Sequence, residues 1–361
     1  MRRRRIVVAM SGGVDSSLAA ALLVEQGFEV TGLFMRMGVS GPEQGDRAWR
    51  HTGCCSAADA NDARLVAGKL GIPFFSLDFK EGFDALISDF ADEYARGRTP
   101  NPCVTCNRQL KFGRLLEYAR AIGAAAVATG HYARIDRTGV RPRLLRSVDR
   151  TKDQSYVLFG LGVEALKRTE FPIGHLTKDQ VRRMALERGL PVHDKPDSTD
   201  ICFAPDGDYA RVVRERRPDA FVPGDVRDET GRTVGRHRGL PNYTIGQRRG
   251  LRIAMGVPVY VTEIDAGSNT VRVGPRDRLF RGGLEAADVQ WLSDPPALPI
   301  RAEVQIRYTH KAAPATVEPL ANGRVRVRFD VPQPAITPGQ AAVLYAGDEV
   351  LGGGWIESAC D

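Results

Sequence analysis

Residues Val8–Ser17 have the sequence VAMSGGVDSS, and this stretch decides the fold of the first part of the chain. It joins a short apolar run, RIVVAM (5–10), to a run of helical composition, SSLAAALLVEQG (16–27). The run FEVTGLFMRM (28–37) then has the apolar composition of a second strand. A strand, a glycine-rich turn, a helix and a strand in this order predict the first unit of a parallel sheet.

The turn itself has the groups needed to hold an anion. Backbone N–H groups at the start of a helix attract negative charge, and Gly12 and Gly13 allow the backbone to wrap closely around a ligand. The available hydroxyl donors are Ser11, Ser16 and Ser17. The turn lacks the lysine of a Walker loop, and Asp15 would repel phosphate unless a cation bridges the two. Pyrophosphate with Mg²⁺, the pair released when ATP is split between its α and β phosphates, meets both conditions. A plain strand–helix turn is the alternative.

Strand and helix signals continue to alternate as far as about residue 205. The predicted elements are a helix in SAADANDARLVAGKLG (56–71), a strand in IPFFSLDF (72–79), helices in FDALISDFADEYARG (83–97) and CNRQLKFGRLLEYARAIG (106–123), and a strand in AAAVATGHYA (124–133). The polar run GPEQGDRAWRHTG (41–53) is predicted to be a loop beside the active site.

The character of the sequence changes after residue 205. A short helix and turns occupy PDGDYARVVRERRPDAFVPGDV (205–226), and short alternating runs broken by Gly, Pro, Asn and Asp follow from about residue 240. Those runs, which predict antiparallel strands of a small barrel, are PVYVTEID (258–265), TVRVGP (270–275), AEVQIRY (302–308), ATVEPL (315–320), RVRVRFD (324–330) and QAAVLYAGDEVLGGGWI (340–356). We predict an α/β protein with a catalytic domain over 1–205, a small central connecting domain over 206–275 and an antiparallel β-barrel over 276–361.

The composition is that of a globular protein with an excess of positive charge. The chain has 361 residues, a formal net charge of +7 and an isoelectric point near 9.2. This charge suggests a polyanionic partner, and a solvated basic surface is the alternative. Arg2–Arg5 precede an apolar run, IVVAM, that is too short for the core of a signal peptide. No run approaches the roughly 18 apolar residues of a membrane span, so we expect a cytoplasmic protein without a membrane partner.

Cysteine spacing points to thiol chemistry. Cys103 and Cys106 form a C-x-x-C pair in TPNPCVTCN (99–107), with a helix predicted to begin at Asn107, and Cys202 lies in DSTDICF (197–203). A thiolate is stabilised at a helix N-terminus, and two separated thiols facing one substrate suit sulfur transfer. Half of a zinc site, a thioredoxin-like pair and simple packing are the alternatives. Packing is at least as good an account of Cys54, Cys55 and Cys360.

The motifs together resemble a known family. SGGVDSS resembles the PP-loop of the ATP pyrophosphatases, which use ATP to adenylate a carbonyl oxygen and then displace AMP with a nucleophile. With NPCVTCN and DSTDICF, the chain resembles the bacterial tRNA-specific 2-thiouridylases, which thiolate the wobble uridine (position 34) of certain tRNAs at its 2-position. The other motifs that match are GCCSAADA (53–60), TGHYAR (129–134), KDQSYVL (152–158), FPIGHLTK (171–178), YTIGQRRGL (243–251) and PGQ (338–340).

The resemblance implies a role for individual residues. ATP would be bound by Ala9, Met10, Ser11, Gly12, Gly13, Val14, Asp15, Ser16, Met35 and Gly130. Cys106 would be the nucleophile and Cys202 the carrier of persulfide sulfur. The target base would be lined by Asn101, Pro102 and Cys103. The tRNA would be contacted by His131, Lys152, Asp153, Gln154, Arg307, Tyr308 and Gln340.

The resemblance also implies partners and leaves two chemistries open. Several family members have aspartate at the position of Cys103, so the role of this thiol is open. Cys103, Cys106 and Cys202 could instead be three ligands of a [4Fe-4S] cluster, in which case no relay of persulfide sulfur would be needed. The family acts on glutamate, glutamine and lysine tRNAs, receives sulfur from a persulfide donor protein, uses ATP and Mg²⁺, and is expected to be monomeric.

Two other functions are weighed against this one. A PP-loop ligase or amidase using ammonia or an amino acid would need neither Cys106 nor Cys202. An RNA-binding protein with a degenerate nucleotide loop is the second, and the intact residues Ser11, Gly12, Gly13, Asp15 and Ser16 argue against it.

Overall fold

The computed structural model describes residues 4–38, 56–197, 201–204, 206–253 and 255–361. The loop predicted over 41–53, together with Cys54 and Cys55, lies outside the described residues. The chain forms two compact units, and both are discontinuous in sequence. The first unit comprises Met1–Leu86, Cys103–Gly207 and Asp348–Val350, and the second comprises Ile87–Pro102, Asp208–Gly347 and Leu351–Asp361.

The first unit is built on a parallel five-stranded sheet. Its strands are β1 (Arg5–Ala9), β2 (Glu29–Arg36), β3 (Phe74–Asp78), β4 (Ala126–Thr129) and β7 (Thr169–Glu170), in the order β3-β2-β1-β4-β7. All four pairings are parallel, as the βαβ pattern predicts. The same unit has an antiparallel hairpin of β5 (Ala133–Asp136) and β6 (Arg143–Arg146), where Glu349 pairs with Leu145.

Helices cover the sheet and bury its apolar residues. They are α1 (Val14–Glu25), α2 (Ala57–Leu70), the start of α3 (Lys80–Ala95), α5 (Leu115–Ala121), α6 (Val163–Lys167) and α7 (Lys178–Glu187), with a 3₁₀ turn at Ser155–Leu158. α1 is rich in Ala and Leu, which favour helix, and most of its length is buried. It ends before Gly27, whose φ of +83° suits the left-handed position after a helix.

The segment that has the C-x-x-C pair is a helix with an unusual middle. α4 (Pro102–Thr105) is followed directly by π-helical turns over Cys106–Arg114 and then by α5. The prediction that the helix begins at Asn107 is therefore wrong, because proline at the first position starts it at Pro102. Cys103 consequently lies in the first turn, and Cys106 opens the π-helical stretch, a geometry frequent at functional sites.

The second unit has a four-stranded sheet and a barrel. The sheet consists of β8 (Gly224–Arg227), β9 (Thr233–His237), β10 (Tyr260–Asp265) and β11 (Thr270–Gly274), in the order β10-β11-β8-β9. α8 (Tyr209–Arg216) and 3₁₀ turns at Pro218–Ala220, Leu240–Asn242 and Arg276–Leu279 belong to the same unit. The predicted strands PVYVTEID and TVRVGP therefore form part of this separate sheet and not of the barrel.

The barrel is antiparallel and closed. Its strands are β12 (Phe280–Trp291), β13 (Ile300–Gln305), β14 (Ala313–Leu320), β15 (Arg324–Pro334), β16 (Ala341–Ala346) and β17 (Glu349–Cys360). They pair in the order β12-β15-β14-β13-β16-β17, and a pairing of β12 with β17 closes the ring. Alternate residues such as Val304, Val317 and Val327 point into a continuous apolar core.

The fold class predicted from the sequence is confirmed: a parallel α/β domain, a small middle module and an antiparallel barrel. The domain boundaries at 205 and 275 stay predictions. None of the helices in the described ranges has the length and apolar character that crossing a membrane requires.

Candidate functional site

The turn between β1 and α1 leaves the first N–H groups of the helix open. Gly13 is the residue before the helix and has no side chain with which to cap it. Gly12 has a φ of +75°, and a Cβ at this position would lie 2.2 Å from the backbone oxygen of Asp59. Only glycine fits between the turn and α2. Uncapped amides at the start of a buried helix are an anion site that needs no further feature.

Serine hydroxyls hold the shape of the turn. Ser16 Oγ donates to the carbonyl of Gly13 at 3.2 Å and accepts from the N–H of Ser11 at 3.1 Å. Ser17 Oγ donates to the same Gly13 carbonyl at 2.8 Å. The hydroxyls predicted to contact a ligand therefore also brace the turn.

The other predicted ATP residues lie on the strands around this turn. Ala9 is the last residue of β1, paired with Leu33 and Thr129, and Met35 is in β2 opposite Leu77. Gly130 follows β4, and a Cβ on it would lie 2.5 Å from the backbone nitrogen of Ser16. Gly130 thus lies against the first turn of α1, at the edge of the sheet where parallel α/β folds bind ligands.

Asp15 is held by a lysine that the sequence analysis did not identify. Lys178 Nζ donates to both carboxylate oxygens of Asp15, at 2.7 and 2.8 Å, and the Tyr132 hydroxyl donates to Oδ1 at 2.7 Å. Burial, together with the nearby Asp15 carboxylate, raises the pKa of Tyr132, so the phenol stays protonated and remains a donor. Lys178 therefore supplies one positive charge beside Asp15.

A second carboxylate beside Asp15 gathers three cations. Asp197 accepts from Lys152 at 2.8 Å, from Lys178 at 2.8 Å and from Arg182 at 2.9 Å. Burial raises the pKa of Asp197, but the hydrogen bonds from Lys152 and Lys178 outweigh it and bring the pKa to about 2. Three cationic side chains, Lys152, Lys178 and Arg182, are therefore held together at this edge of the sheet, which suits a polyphosphate.

Lys195 ties the turn to α2. Its Nζ donates to the carbonyl of Gly12 at 3.0 Å and to the carboxylates of Asp59 and Asp62 at 2.7 and 2.6 Å. Burial lowers the pKa of Lys195, but these carboxylates raise it overall, so the lysine stays charged.

Lys178, Lys195, Tyr132 and Arg182 are functional candidates that the motifs missed. Lys178 stands in FPIGHLTK, which was matched without a role. A signal for its position was present, since Thr177 and Gln180 form a capping box that makes Lys178 the first residue of α7. The sequence contains no signal that the start of α7 lies beside α1.

The two cysteine segments meet on the first turn of α3. A Cβ on Gly82 would lie 2.9 Å from Leu110 Cδ2, one turn beyond Cys106, so the π-helical stretch packs against that turn. On the next residue, the ring of Phe83 contacts Phe203 edge to face, with 5.9 Å between centroids, directly after Cys202. Cys106 and Cys202 are partly exposed reduced thiols, and Cys103 is an exposed one.

The iron–sulfur alternative is not supported by this arrangement. Among the described residues, no three side chains of His, Cys, Asp or Glu are grouped as metal ligands. For Mg²⁺, the hard oxygen ligand nearest the turn is the Asp15 carboxylate, and Mg²⁺ takes one or two carboxylates together with substrate phosphates. The residues present fit a nucleotide-bound Mg²⁺.

The tRNA-contacting residues predicted in the first unit have internal partners. His131 is buried between the rings of Phe112 and Phe171, with Nδ1 2.7 Å from Thr129 Oγ1. Asp153 accepts from the N–H of Ser147 at 2.9 Å. Gln154 Oε1 accepts from the N–H of Tyr132 at 2.9 Å. These side chains shape the loop that carries Lys152, and their contact with tRNA stays a prediction.

In the second unit, Gln340 clasps the segment before the target-base residues. Its Nε2 donates to the carbonyls of Thr99 at 2.8 Å and Pro100 at 3.3 Å, directly before Asn101 and Pro102. The N–H of Thr99 donates in turn to the Pro338 carbonyl at 2.9 Å. The PGQ motif thus fixes the backbone that leads into TPNP.

Arg307 and Tyr308 lie in a braced turn after β13. The buried Gln305 donates from Nε2 to both of their carbonyls, at 3.1 and 2.9 Å. Tyr308 is 45% exposed, as a residue that meets a large ligand would be.

Comparison with protein families covers nearly the whole chain. Three family models match: the tRNA methyl transferase HUP domain over residues 4–206, the tRNA methyl transferase PRC-barrel domain over 211–275 and the aminomethyltransferase beta-barrel domain over 281–356.

Full-length relatives carry one name. The chain is 50% identical over 361 residues to the tRNA-specific 2-thiouridylase MnmA of Symbiobacterium thermophilum, covering 99% of this chain and 93% of that protein. It is 50% identical to that of Geobacter metallireducens, covering 99% and 98%, and 48% identical to that of Clostridium perfringens, covering 99% of both.

Solved structures match far more distantly. A 4-thiouridine synthetase–RNA complex with bound ATP is 15% identical with a TM-score of 0.37, covering 60% of this chain and 51% of that one. A likeness of this size carries no argument about function.

Proposed function

This chain belongs to the tRNA-specific 2-thiouridylase family, and on that premise we propose that it uses ATP to thiolate the wobble uridine (position 34) of tRNA at its 2-position. The observation that carries the proposal is the meeting of the two cysteine segments on the first turn of α3, in the unit that also has the nucleotide turn. A PP-loop ligase that uses ammonia would not need Cys106 and Cys202 to lie in segments that pack on the same helical turn.

The first step is adenylation of the uridine. The open N–H groups at the start of α1 hold the phosphates of ATP, and Gly12 and Gly130 allow the backbone to approach them. Uridine O2 attacks the α-phosphorus, the bond to the β-phosphate oxygen breaks, and pyrophosphate leaves. Lys178 and Lys152 supply positive charge where negative charge develops on the leaving group. Mg²⁺, when bound, neutralises phosphate charge, and Asp15 is the residue that would hold it.

The second step transfers sulfur. The terminal sulfur of a persulfide on Cys202 attacks C2, the C2–O bond breaks, and AMP leaves. Cys106 thiolate then attacks the Cys202 sulfur, which releases 2-thiouridine and leaves a Cys106–Cys202 disulfide. In the other order, Cys106 first frees hydrosulfide from the persulfide, and hydrosulfide attacks C2. Both routes need a persulfide donor to load Cys202 and a thiol reductant to reset the pair.

The uridine must leave its stack to be modified. Its O2 and C2 are enclosed within the anticodon loop, and enzymes that act on a base take it out of the stack. We propose that Asn101, Pro102 and Cys103 line the pocket and that His131, Lys152, Asp153, Gln154, Arg307, Tyr308 and Gln340 contribute to tRNA contacts. The substrates proposed are the glutamate, glutamine and lysine tRNAs.

The test is a reconstituted reaction with the metal-free protein. Unmodified glutamate tRNA, ATP, Mg²⁺ and a persulfide donor are incubated with the wild type, Cys106→Ser and Cys202→Ser, and digested RNA is analysed for 2-thiouridine by mass spectrometry. Pyrophosphate release is measured in parallel. We expect product from the wild type and a loss of more than about 100-fold in both variants.

Cys360→Ser is the matched control, because Cys360 is also a partly exposed reduced thiol but lies in the barrel. It should keep full activity. Product from both Cys106→Ser and Cys202→Ser would exclude the relay. Pyrophosphate release without thiolation of any tRNA would favour a different PP-loop ligase, and no release at all would favour an RNA-binding protein.

A further inference from the structure

Positive charge is concentrated in the middle module of the chain. Residues 211–275 contain twelve arginines, no lysine and seven acidic residues, which leaves a net charge of +5 out of +7 for the whole chain. The choice of arginine alone is informative, since its planar fork binds phosphate through two parallel hydrogen bonds whereas lysine acts as a point charge.

Seven of these arginines have a local partner. Five form ion pairs with acidic residues: Arg211, Arg217, Arg227, Arg232 and Arg272. Arg214 stacks on the ring of Phe221 at 4.1 Å, and Arg216 contacts Ser88. The remaining five are exposed and pair with no carboxylate in the part of the second unit that the structure describes: Arg236, Arg238, Arg248, Arg249 and Arg252. We call these five the arginine surface.

Packing brings β9, which holds Arg236 and precedes Arg238, against the loop that holds the other three arginines. A Cβ on Gly235 would lie 2.7 Å from Ile253 Cγ2, so β9 touches the loop that carries Arg252. Burial raises the pKa of the Tyr243 phenol, and the charges of Arg252 and Arg238 act against this rise.

Hydrogen bonds of the Gln247 side chain hold the loop over 244–253, in which the arginine side chains are exposed to solvent. Gln247 Oε1 accepts from the N–H of Thr244 at 3.0 Å, and its Nε2 donates to the carbonyl of Arg249 at 3.0 Å. The apolar residues Tyr243 and Leu251 turn inward to the core of the four-stranded sheet. Arg252 has a φ of +56°, which is uncommon for a residue with a side chain.

We propose that the arginine surface binds the phosphodiester backbone of the substrate tRNA, at nucleotides other than the uridine that is thiolated. This inference rests on the proposed function and adds a binding site in the second unit to the residues already assigned. The partner chemistry that fits is a polyanion, because the surface offers five guanidinium groups whose charges are not paired with a carboxylate among the described residues.

The experiment compares two triple variants that remove the same charge from the same unit. Arg248→Gln/Arg249→Gln/Arg252→Gln removes three arginines of the surface. The matched control, Arg227→Gln/Arg272→Gln/Arg278→Gln, removes three exposed arginines that form ion pairs with Asp225, Glu263 and Glu229. Affinity for unmodified glutamate tRNA is measured by filter binding across a salt series, and thiolation kinetics are measured with a small-molecule persulfide donor.

We expect the surface variant to bind tRNA about 10-fold more weakly near 0.1 M salt and to lose roughly 2 units from the slope of log K against log salt. The kinetic loss should fall on KM for tRNA and not on KM for ATP. The control variant should change the slope by less than about 1 unit.

Equal losses in both variants would mean that only net charge matters, and the proposal would be overturned. An unchanged slope in the surface variant would also overturn it. If the rate then fell only with a persulfide donor protein, the surface would instead receive an acidic protein. Each of these outcomes leaves thiolation by the wild type intact, so it is distinct from a failure of the proposed function, in which the wild type makes no 2-thiouridine.

Discussion

At the start of α1 the carboxylates of Asp15 and Asp59 are each bound by a lysine, whereas the arginine surface has five guanidinium groups without a carboxylate partner among the described residues. The first arrangement satisfies its charges internally before any ligand arrives. The second depends on a partner to neutralise it. Under the functions proposed above, the difference corresponds to two kinds of recognition: a preformed site for a small ligand and an open surface for a long polyanion.

The two regions should therefore respond differently to solvent. Paired and partly buried charges are weakly screened by salt, while exposed charges that displace counterions from a nucleic acid are strongly affected.

Gly130→Ala should nearly abolish nucleotide use. The new Cβ would lie 2.5 Å from the backbone nitrogen of Ser16 and would displace the start of α1. A displacement of about 1 Å costs roughly 100-fold in rate, so tRNA-dependent pyrophosphate release should fall by at least that factor. Gly68→Ala is the control, since a Cβ there meets nothing within 4 Å. Near-normal release by Gly130→Ala would mean that the phosphates do not lie against this turn.

Salt should separate the two substrates. Raising the salt from about 50 to 200 mM should increase KM for tRNA by about 40-fold if three phosphates are contacted, because the slope is near −0.9 for each. KM for ATP should change by less than about 2-fold. The two constants are obtained from steady-state rates at each salt concentration with the other substrate saturating. Parallel changes in both would remove the contrast between the two regions.

Lys178→Met should raise KM for ATP by about 30-fold, which corresponds to the roughly 2 kcal/mol of a hydrogen bond to a charged group. The change removes the cation that Asp15 and Asp197 share. Lys178→Arg should recover part of the loss. Lys167→Met, which removes an exposed lysine paired with Glu164, is the control and should have no effect. A normal KM for ATP in Lys178→Met would show that Lys178 only braces α7.

Gln340→Ala should lower the thiolation rate by about 5-fold, since a hydrogen bond of about 1 kcal/mol holds the segment before Asn101. The matched control is Gln333→Ala, because Gln333 is half-buried and its side chain donates to the carbonyl of Val331 on its own strand. The measurement is single-turnover formation of 2-thiouridine with saturating tRNA. Equal rates for the two variants would mean that the clasp does not position the target-base residues.

Acid should weaken the second unit through His237. This side chain accepts from the N–H of Gly239 at 3.1 Å through Nδ1, so Nε2 carries the proton and donates to the Asn269 carbonyl at 3.0 Å. Burial lowers the pKa of His237. Its contribution is therefore present above the unfolded pKa near 6.5 and is lost as the pH falls below that value towards the folded pKa.

The free energy of unfolding, measured by urea titration between pH 7.5 and 5, should fall with pH less steeply in His237→Gln than in the wild type. His175→Gln, at an exposed position of the first unit, should follow the wild-type slope. Identical slopes for all three proteins would assign the acid sensitivity to other groups.

Local signals predicted most of the fold. The strand–turn–helix at Val8–Glu25, the strand before Gly130 and the later β-rich half follow from apolar spacing, glycine and turn residues, and the structure has them all. The signal could not tell which strands share a sheet, because β10 and β11 alternate in the same way as the barrel strands. The π-helical turns at Cys106 were also missed, since their side-chain composition is that of an ordinary helix.

The site residues that lie together in one short segment were predicted from the sequence. The charged residues that reach the site from distant parts of the chain were not. Gly12, Gly13 and Asp15 stand together in the sequence. Lys178 contacts Asp15 across 163 residues, and Lys195 contacts Gly12 across 183 residues. Neither lysine has a local pattern that points to a phosphate, because α7, which begins at Lys178, and the irregular segment that contains Lys195 are placed only by the packing of the whole unit.

The discontinuity of the first unit bears on how the protein is made. Its last segment, Asp348–Val350, supplies the carboxylate that Arg134 and Arg150 bind, yet it follows Gly207 by about 140 residues in the chain. At a synthesis rate of about 5–20 residues per second, the nascent unit waits roughly 10–30 s for these contacts. A chain that ends within the barrel would therefore have a first unit without the pairing of β17 with β6 and without the carboxylate that Arg134 and Arg150 bind.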